Sequence, residues 1–220
     1  MNDLGGYHHA ITTRNPMAQS YFNQGLVMSF AFNHHEAIRA FHAAQQLDEN
    51  CAMCYWGEAL ALVGPNINVT NNGQAVLSAE AHFQAFTAIQ RALQLKSYAS
   101  VKERDFIDAL AVRYSNESSV SRSGLDLDYM NAMRKLYQKY PDDNDAASLF
   151  AESMMTTMPW DYWVNPDTPK ELTREVIQVL ETVLRRAPKH PLALHLYIHA
   201  VEASSAPQRA ESAADTLLNL

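Results

Sequence analysis

The stretch AQSYFNQGLVMSFAFNHHEAIRAFHAAQQLDE, residues 18–49, decides the fold. Tyr21, Gly25 and Met28 recur at helical spacing, and after a short break Ala37, Phe41 and Ala44 recur at i, i+4 and i+7. Each set places one apolar stripe on one face of a helix, so the stretch predicts two amphipathic helices joined by a short turn. The first helix offers a small residue, Gly25, where a partner must approach closely. The second offers small, aromatic, small along a single line.

Working outward, the second-helix stripe returns as Ala85, Ile89 and Ala92, then as Tyr129, Met133 and Leu136, then as Val176, Leu180 and Val183. Pro141 and Pro188 follow the last two, where proline stops a helix. First-helix stripes lie between: Tyr55, Ala59 and Leu62; Asp105, Ala109 and Val112; Ala147, Ala151 and Met154; Leu194, Ile198 and Val201. Ala210, Ala214 and Leu217 form a last partial stripe. The chain therefore reads as an N-terminal arm over residues 1–17 and helix pairs over 18–50, 51–97, 101–141, 144–188 and 191–220.

Tyr21, Gly25, Ala37, Phe41 and Ala44 resemble the tetratricopeptide repeat, whose aromatic, small, aromatic, small pattern recurs over about 34 residues. Later units are degenerate and spaced more widely. LGGYHHAITT, AQSYFNQGL, FNHHEAIRAF, CAMCYWGEALALVGPNIN and HPLALHLYIHAVEAS are further similar to a group of longer bacterial tetratricopeptide-repeat proteins, from which no activity carries over. The resemblance implies an all-α, right-handed superhelical solenoid in which first helices line a concave groove that binds a protein or peptide. In the family's register the groove positions are Phe22, Leu26, Trp56, Leu60, Phe106, Leu110, Arg113, Ser148, Glu152, Met155, His195, His199 and Glu202. Only Arg113 is basic among them, which argues against a clamp for a peptide's terminal carboxylate. The last unit has no polar capping helix, so Leu217, Leu218 and Leu220 are expected to need cover from further chain, a second copy or a partner.

Composition narrows the function. Of the 220 residues, 17 are Lys or Arg and 24 are Asp or Glu, a net charge of −7, which argues against a nucleic-acid or anionic-membrane surface. With only 7 glycines there is no phosphate-binding loop, dinucleotide fingerprint or nucleophile elbow. No apolar run reaches the ~20 residues of a membrane helix. MNDLGGYHHA lacks a basic region followed by an apolar core, so a cytoplasmic location is expected.

Several residues could carry chemistry. His195 and His199 stand one turn apart, about 6 Å of rise, with their imidazoles on one face. Such a pair either lines the groove with hydrogen-bonding groups or shares a divalent ion such as zinc. Glu152 on the neighbouring first helix is the expected third ligand, because Glu202 lies roughly 10 Å from His195 along the axis. Leu196 stands where a metalloprotease places its general base, so no catalytic residue is assigned, and a scaffold without a cofactor is expected. Cys51-x2-Cys54 reads as small apolar packing or as a redox or half-metal motif, and two cysteines make no disulfide framework. His8 and His9 read as a solvated arm, or as an arm tucked into the groove. Gly64-Pro65-Asn66-Ile67-Asn68 reads as a capped turn or as a binding loop whose Asn66 and Asn68 amides hold a peptide backbone. Glu58, on an otherwise apolar helix, needs a partner if buried. Trp160, Tyr162 and Trp163, among three prolines in residues 154–169, read as loop packing or as a contact patch.

Overall fold

Pro16 opens the first helix, at the position where a missing N–H costs nothing, and the Asn15 side chain accepts from the amides of Met17 and Ala18. The computed structural model describes residues 5–63, 70–71, 74–75, 78–117 and 120–220. Its helices are α1 (Pro16–Phe30), α2 (His34–Leu47), α3 (Ala52–Val63), α4 (Ala79–Gln94), α5 (Val101–Ala111), α6 (Arg122–Lys139), α7 (Asn144–Thr156), α8 (Glu171–Arg186), α9 (Pro191–Val201) and α10 (Glu211–Leu218). Among the described residues strand is confined to two antiparallel ribbons: β1 (Thr70–Asn71) with β2 (Gln74–Ala75), and β3 (Trp163–Asn165) with β4 (Thr168–Pro169). The protein is all-α.

Two compact units divide the range expected as one array. One comprises Tyr7–Pro65 and Leu77–Ala132, the other Met1–Gly6, Asn66–Val76 and Met133–Leu220. In the first, each helix from α1 to α5 packs on the next, and α3 also packs on α1 and on α5. In the second, α7, α8, α9 and α10 pack in succession, and α7 also meets α9.

Phe41 shows how the sequence pattern becomes packing. Its side chain is fully buried, which contributes about 2–3 kcal/mol. The ring lies against two glycines at once: a Cβ on Gly25 of α1 would stand 2.6 Å from it, and one on Gly57 of α3 2.3 Å from it. Both distances are impossible for real atoms, so α1 and α3 carry glycine where α2 inserts its ring. Gly25 was legible as a close-approach position. Gly57 was not, because a helix-interior glycine has no pattern of its own.

Capping sets the other boundaries. Ser100 accepts from the Glu103 amide while the Glu103 carboxylate accepts from Ser100 N–H, a reciprocal box that starts α5. Asp143 caps α7, and His190 caps α9 through Nδ1, its Nε2 facing Asp145 Oδ1 at 3.0 Å. In α8 the buried set Val176, Ile177, Val179, Leu180 and Val183 falls on one face, with Arg185 and Arg186 in the last turn, where they suit the helix dipole. In α7 every residue from Ala146 to Thr156 is buried.

Candidate functional site

Residues 8–14 of the N-terminal arm are docked on the first unit. Residues 8–14 alternate: His9 is buried, Ile11 and Thr13 are half-buried, and His8, Ala10, Thr12 and Arg14 are exposed. That period of two is the signature of extended chain lying on a surface. Its main chain is held by side chains. Asn23 Oδ1 accepts from His9 N–H at 3.2 Å, Gln19 Oε1 accepts from Ile11 N–H at 3.0 Å, and Gln19 Nε2 donates to the His9 carbonyl at 2.8 Å. Gln19 and Asn23 are one turn apart on α1 and also bond each other at 2.9 Å. From α5, Glu103 takes both the amide and the hydroxyl of Thr12 at 2.5 Å. Thr13 Oγ1 donates to Asp48 at 2.6 Å.

Under the arm lies an aromatic floor. The His9 ring is 5.9 Å from Phe22 of α1 and 5.9 Å from Phe106 of α5. Trp56 of α3 completes the row, edge-on to Phe106 at 5.9 Å, with its Nε1 donating to the Phe106 carbonyl at 3.1 Å. The solvated reading of His8 and His9 is thereby corrected: His9 is buried, while exposed His8 bonds Asn23 Nδ2 at 2.9 Å through Nδ1. Phe22, Leu26, Trp56, Leu60 and Phe106, expected as groove lining, are all buried. The reason is physical: a row of aromatics left open would expose apolar surface to water, and the arm removes part of it.

The Glu103 carboxyl follows from this packing. Burial alone would raise its pKa, but the bonds from Thr12 and Ser100 outweigh burial and hold it below the ordinary 4.5. Gln19, Asn23 and Glu103 were not singled out in the sequence. The available signal was the polar pair Gln19 and Asn23 at i, i+4, flanking Phe22 and Leu26.

Arg113 does not face a groove. α5 ends at Ala111, so the helical register that predicted its direction stops before reaching it. Its guanidinium is buried, bonds Asp126 Oδ1 through Nε at 3.0 Å, and lies 5.0 Å above the Tyr129 ring. Arg122 reaches the same Asp126 at 2.8 Å and donates to the Arg113 carbonyl. Burial opposes the charge on Arg113, yet Asp126 keeps its pKa above the ordinary arginine value. Glu58 has the partners it needs: His42 Nε2 at 2.8 Å and Gln45 Nε2 at 2.6 Å, both from α2.

In the second unit the expected set splits. His195 and His199 come together, Nε2 to Nε2 at 3.0 Å, and Glu202 Oε1 meets His199 Nδ1 at 2.9 Å. Glu152 is buried on α7, and no group of three or more His, Cys, Asp or Glu side chains among the described residues is placed to hold a metal ion. The three-ligand set His195, His199 and Glu152 is therefore not assembled. Ser148 and Met155, like Glu152, are buried with the rest of α7. The aromatic loop folds back on α9: Trp163 Nε1 donates to the Ala200 carbonyl at 2.9 Å, Tyr162 is buried, and Trp160 is left 46% exposed.

Cys51 and Cys54 are buried and joined as a disulfide, with Cα atoms 5.3 Å apart, rather than packing as free thiols. Asn66 and Asn68 lie outside the described residues. On α10, Leu217 is half-buried and Leu218 is 86% exposed. No helix among the described residues is long and apolar enough to cross a membrane. The chain matches no family model and no curated protein.

Proposed function

We propose that the protein is a peptide-binding scaffold of the tetratricopeptide-repeat type, with the α1–α3–α5 face of its first unit as the binding surface. One observation carries this reading: an extended segment already lies on that face, its main chain held by the side chains of Gln19, Asn23 and Glu103. Side-chain amides and a carboxylate that bond a ligand's backbone recognise extended chain whatever its sequence, while the aromatic floor selects the inward side chain. The ligand class is an unstructured protein segment that presents a flat or apolar side chain at the His9 position. The arm is the occupant in cis.

The test uses protein beginning at Asn15 and a labelled peptide of residues 5–14, read by fluorescence anisotropy, with circular dichroism confirming the helical fold. Saturable binding, weakened at least tenfold by Gln19→Ala with Asn23→Ala, is expected. A folded truncated protein that ignores the peptide defeats the proposal.

A further inference from the structure

His195 and His199 are both partly exposed on α9, in the unit that does not hold residues 8–14. Their ring centroids are 4.9 Å apart but their Nε2 atoms only 3.0 Å apart. The rings thus turn their Nε2 edges toward each other rather than stacking face to face. Glu202 accepts from His199 Nδ1 at 2.9 Å. A carboxylate there fixes the tautomer, leaving the His199 Nε2 lone pair directed at His195. Without an ion, His195 Nε2–H fills that space with a hydrogen bond. Trp160 stands edge-on to the His199 ring at 5.2 Å, on a backbone with φ of 59°, a left-handed conformation that bulky residues rarely adopt.

We infer that His195 and His199 form a two-nitrogen site for a divalent ion of the copper or nickel class, with Glu202 as the positioning carboxylate. An ion about 2.0–2.1 Å from each nitrogen would see them close to a right angle at the observed separation. That is the cis angle of tetragonal and octahedral ions, whereas tetrahedral zinc needs a wider one. The His199 and Glu202 side chains are 21% and 47% exposed, so water reaches the pair and can complete the ion's coordination. This site is independent of the peptide-binding proposal.

The full-length chain is titrated with Ni²⁺ by calorimetry and with Cu²⁺ by tryptophan fluorescence, in a non-coordinating buffer. The expected result is one site that binds Cu²⁺ more tightly than Ni²⁺, and Ni²⁺ more tightly than Zn²⁺. His195→Gln and His199→Gln, chosen to keep size and polarity, each weaken it at least tenfold. Glu202→Gln weakens it by about tenfold with no change in melting temperature. Trp160→Phe removes part of the Cu²⁺ quenching and leaves the stoichiometry unchanged. Cu²⁺ broadens amide signals around residues 195–202 in the unmutated chain, which reads the site without any variant. Equal binding by the unmutated and His195→Gln/His199→Gln chains, no localised broadening, or preference for Zn²⁺ would overturn the inference.

Discussion

Thr12 gives both its amide and its hydroxyl to the carboxylate of Glu103, 91 residues further along the chain. This pairing holds the arm one residue beyond the Ile11 N–H that Gln19 holds. A bond to a charged acceptor contributes about 1.5–3 kcal/mol. Glu103→Ala is therefore expected to raise the open population of the arm by roughly thirtyfold. Thr12→Val keeps the shape, loses the hydroxyl bond and has a smaller effect. Trypsin cleavage after Arg14, timed under native conditions, measures both. Because the folded pKa of Glu103 lies below 4.5, its contribution is full above that pH and is lost as pH falls through the folded value. Cleavage after Arg14 that is unchanged in both variants would show that the arm is held by other contacts.

His34 makes stability depend on pH in the same direction over a higher range. Both ring nitrogens are buried without a hydrogen-bond partner, and the ring stacks on Phe32 at 5.9 Å. Burial, with a smaller push from His35, lowers its pKa from 6.5 to about 4. Between those values the unfolded chain takes up a proton that the folded chain refuses, so stability falls as pH drops from 6.5 toward 4. At pH 5 the loss is about 2 kcal/mol. His34→Leu should remove that part of the slope in urea unfolding curves recorded at pH 7 and pH 5.

Gly57→Ala drives a methyl group into the Phe41 ring and should cost about 1–3 kcal/mol by overpacking. Gly25→Ala is expected to do the same from the other side. Phe41→Leu is destabilising on its own, but combined with Gly57→Ala it should cost less than the sum of the two single changes. Strict additivity in a double-mutant cycle would show that the ring is not what the methyl meets.

Arg113→Ala leaves Asp126 buried with Arg122 as its remaining partner. Removing one member of a buried ion pair costs about 3–5 kcal/mol, and Arg122 should keep the loss near the lower figure. Arg122→Ala together with Arg113→Ala should then exceed the sum of the single losses. Chemical denaturation at pH 7 decides this.

Helices were legible because burying a face imposes a period, and that period survives in residues such as Ala37, Phe41 and Ala44 even where later units are degenerate. The site was legible in part. The i, i+4 spacing brought His195 and His199 together as read. It said nothing of Glu152, whose place depends on how α7 packs rather than on its own helix. Arg113 was misplaced because a register carried forward takes no account of where its helix ends. The docked arm left the faintest trace. Many of its bonds run from its backbone to Gln19, Asn23 and Glu103, and backbone groups are the same in every residue.

Alternation along residues 8–14 gives the arm a reading frame. One residue inserted between Gly5 and Gly6 would leave the frame intact, whereas one inserted between Ile11 and Thr12 would interchange the inward and outward sets on one side of the break. Thr12 would then keep its grip on Glu103 only by unseating His9 from the aromatic floor. Length in this segment is therefore held far more tightly than composition, as in a zipper whose teeth are interchangeable but cannot be skipped.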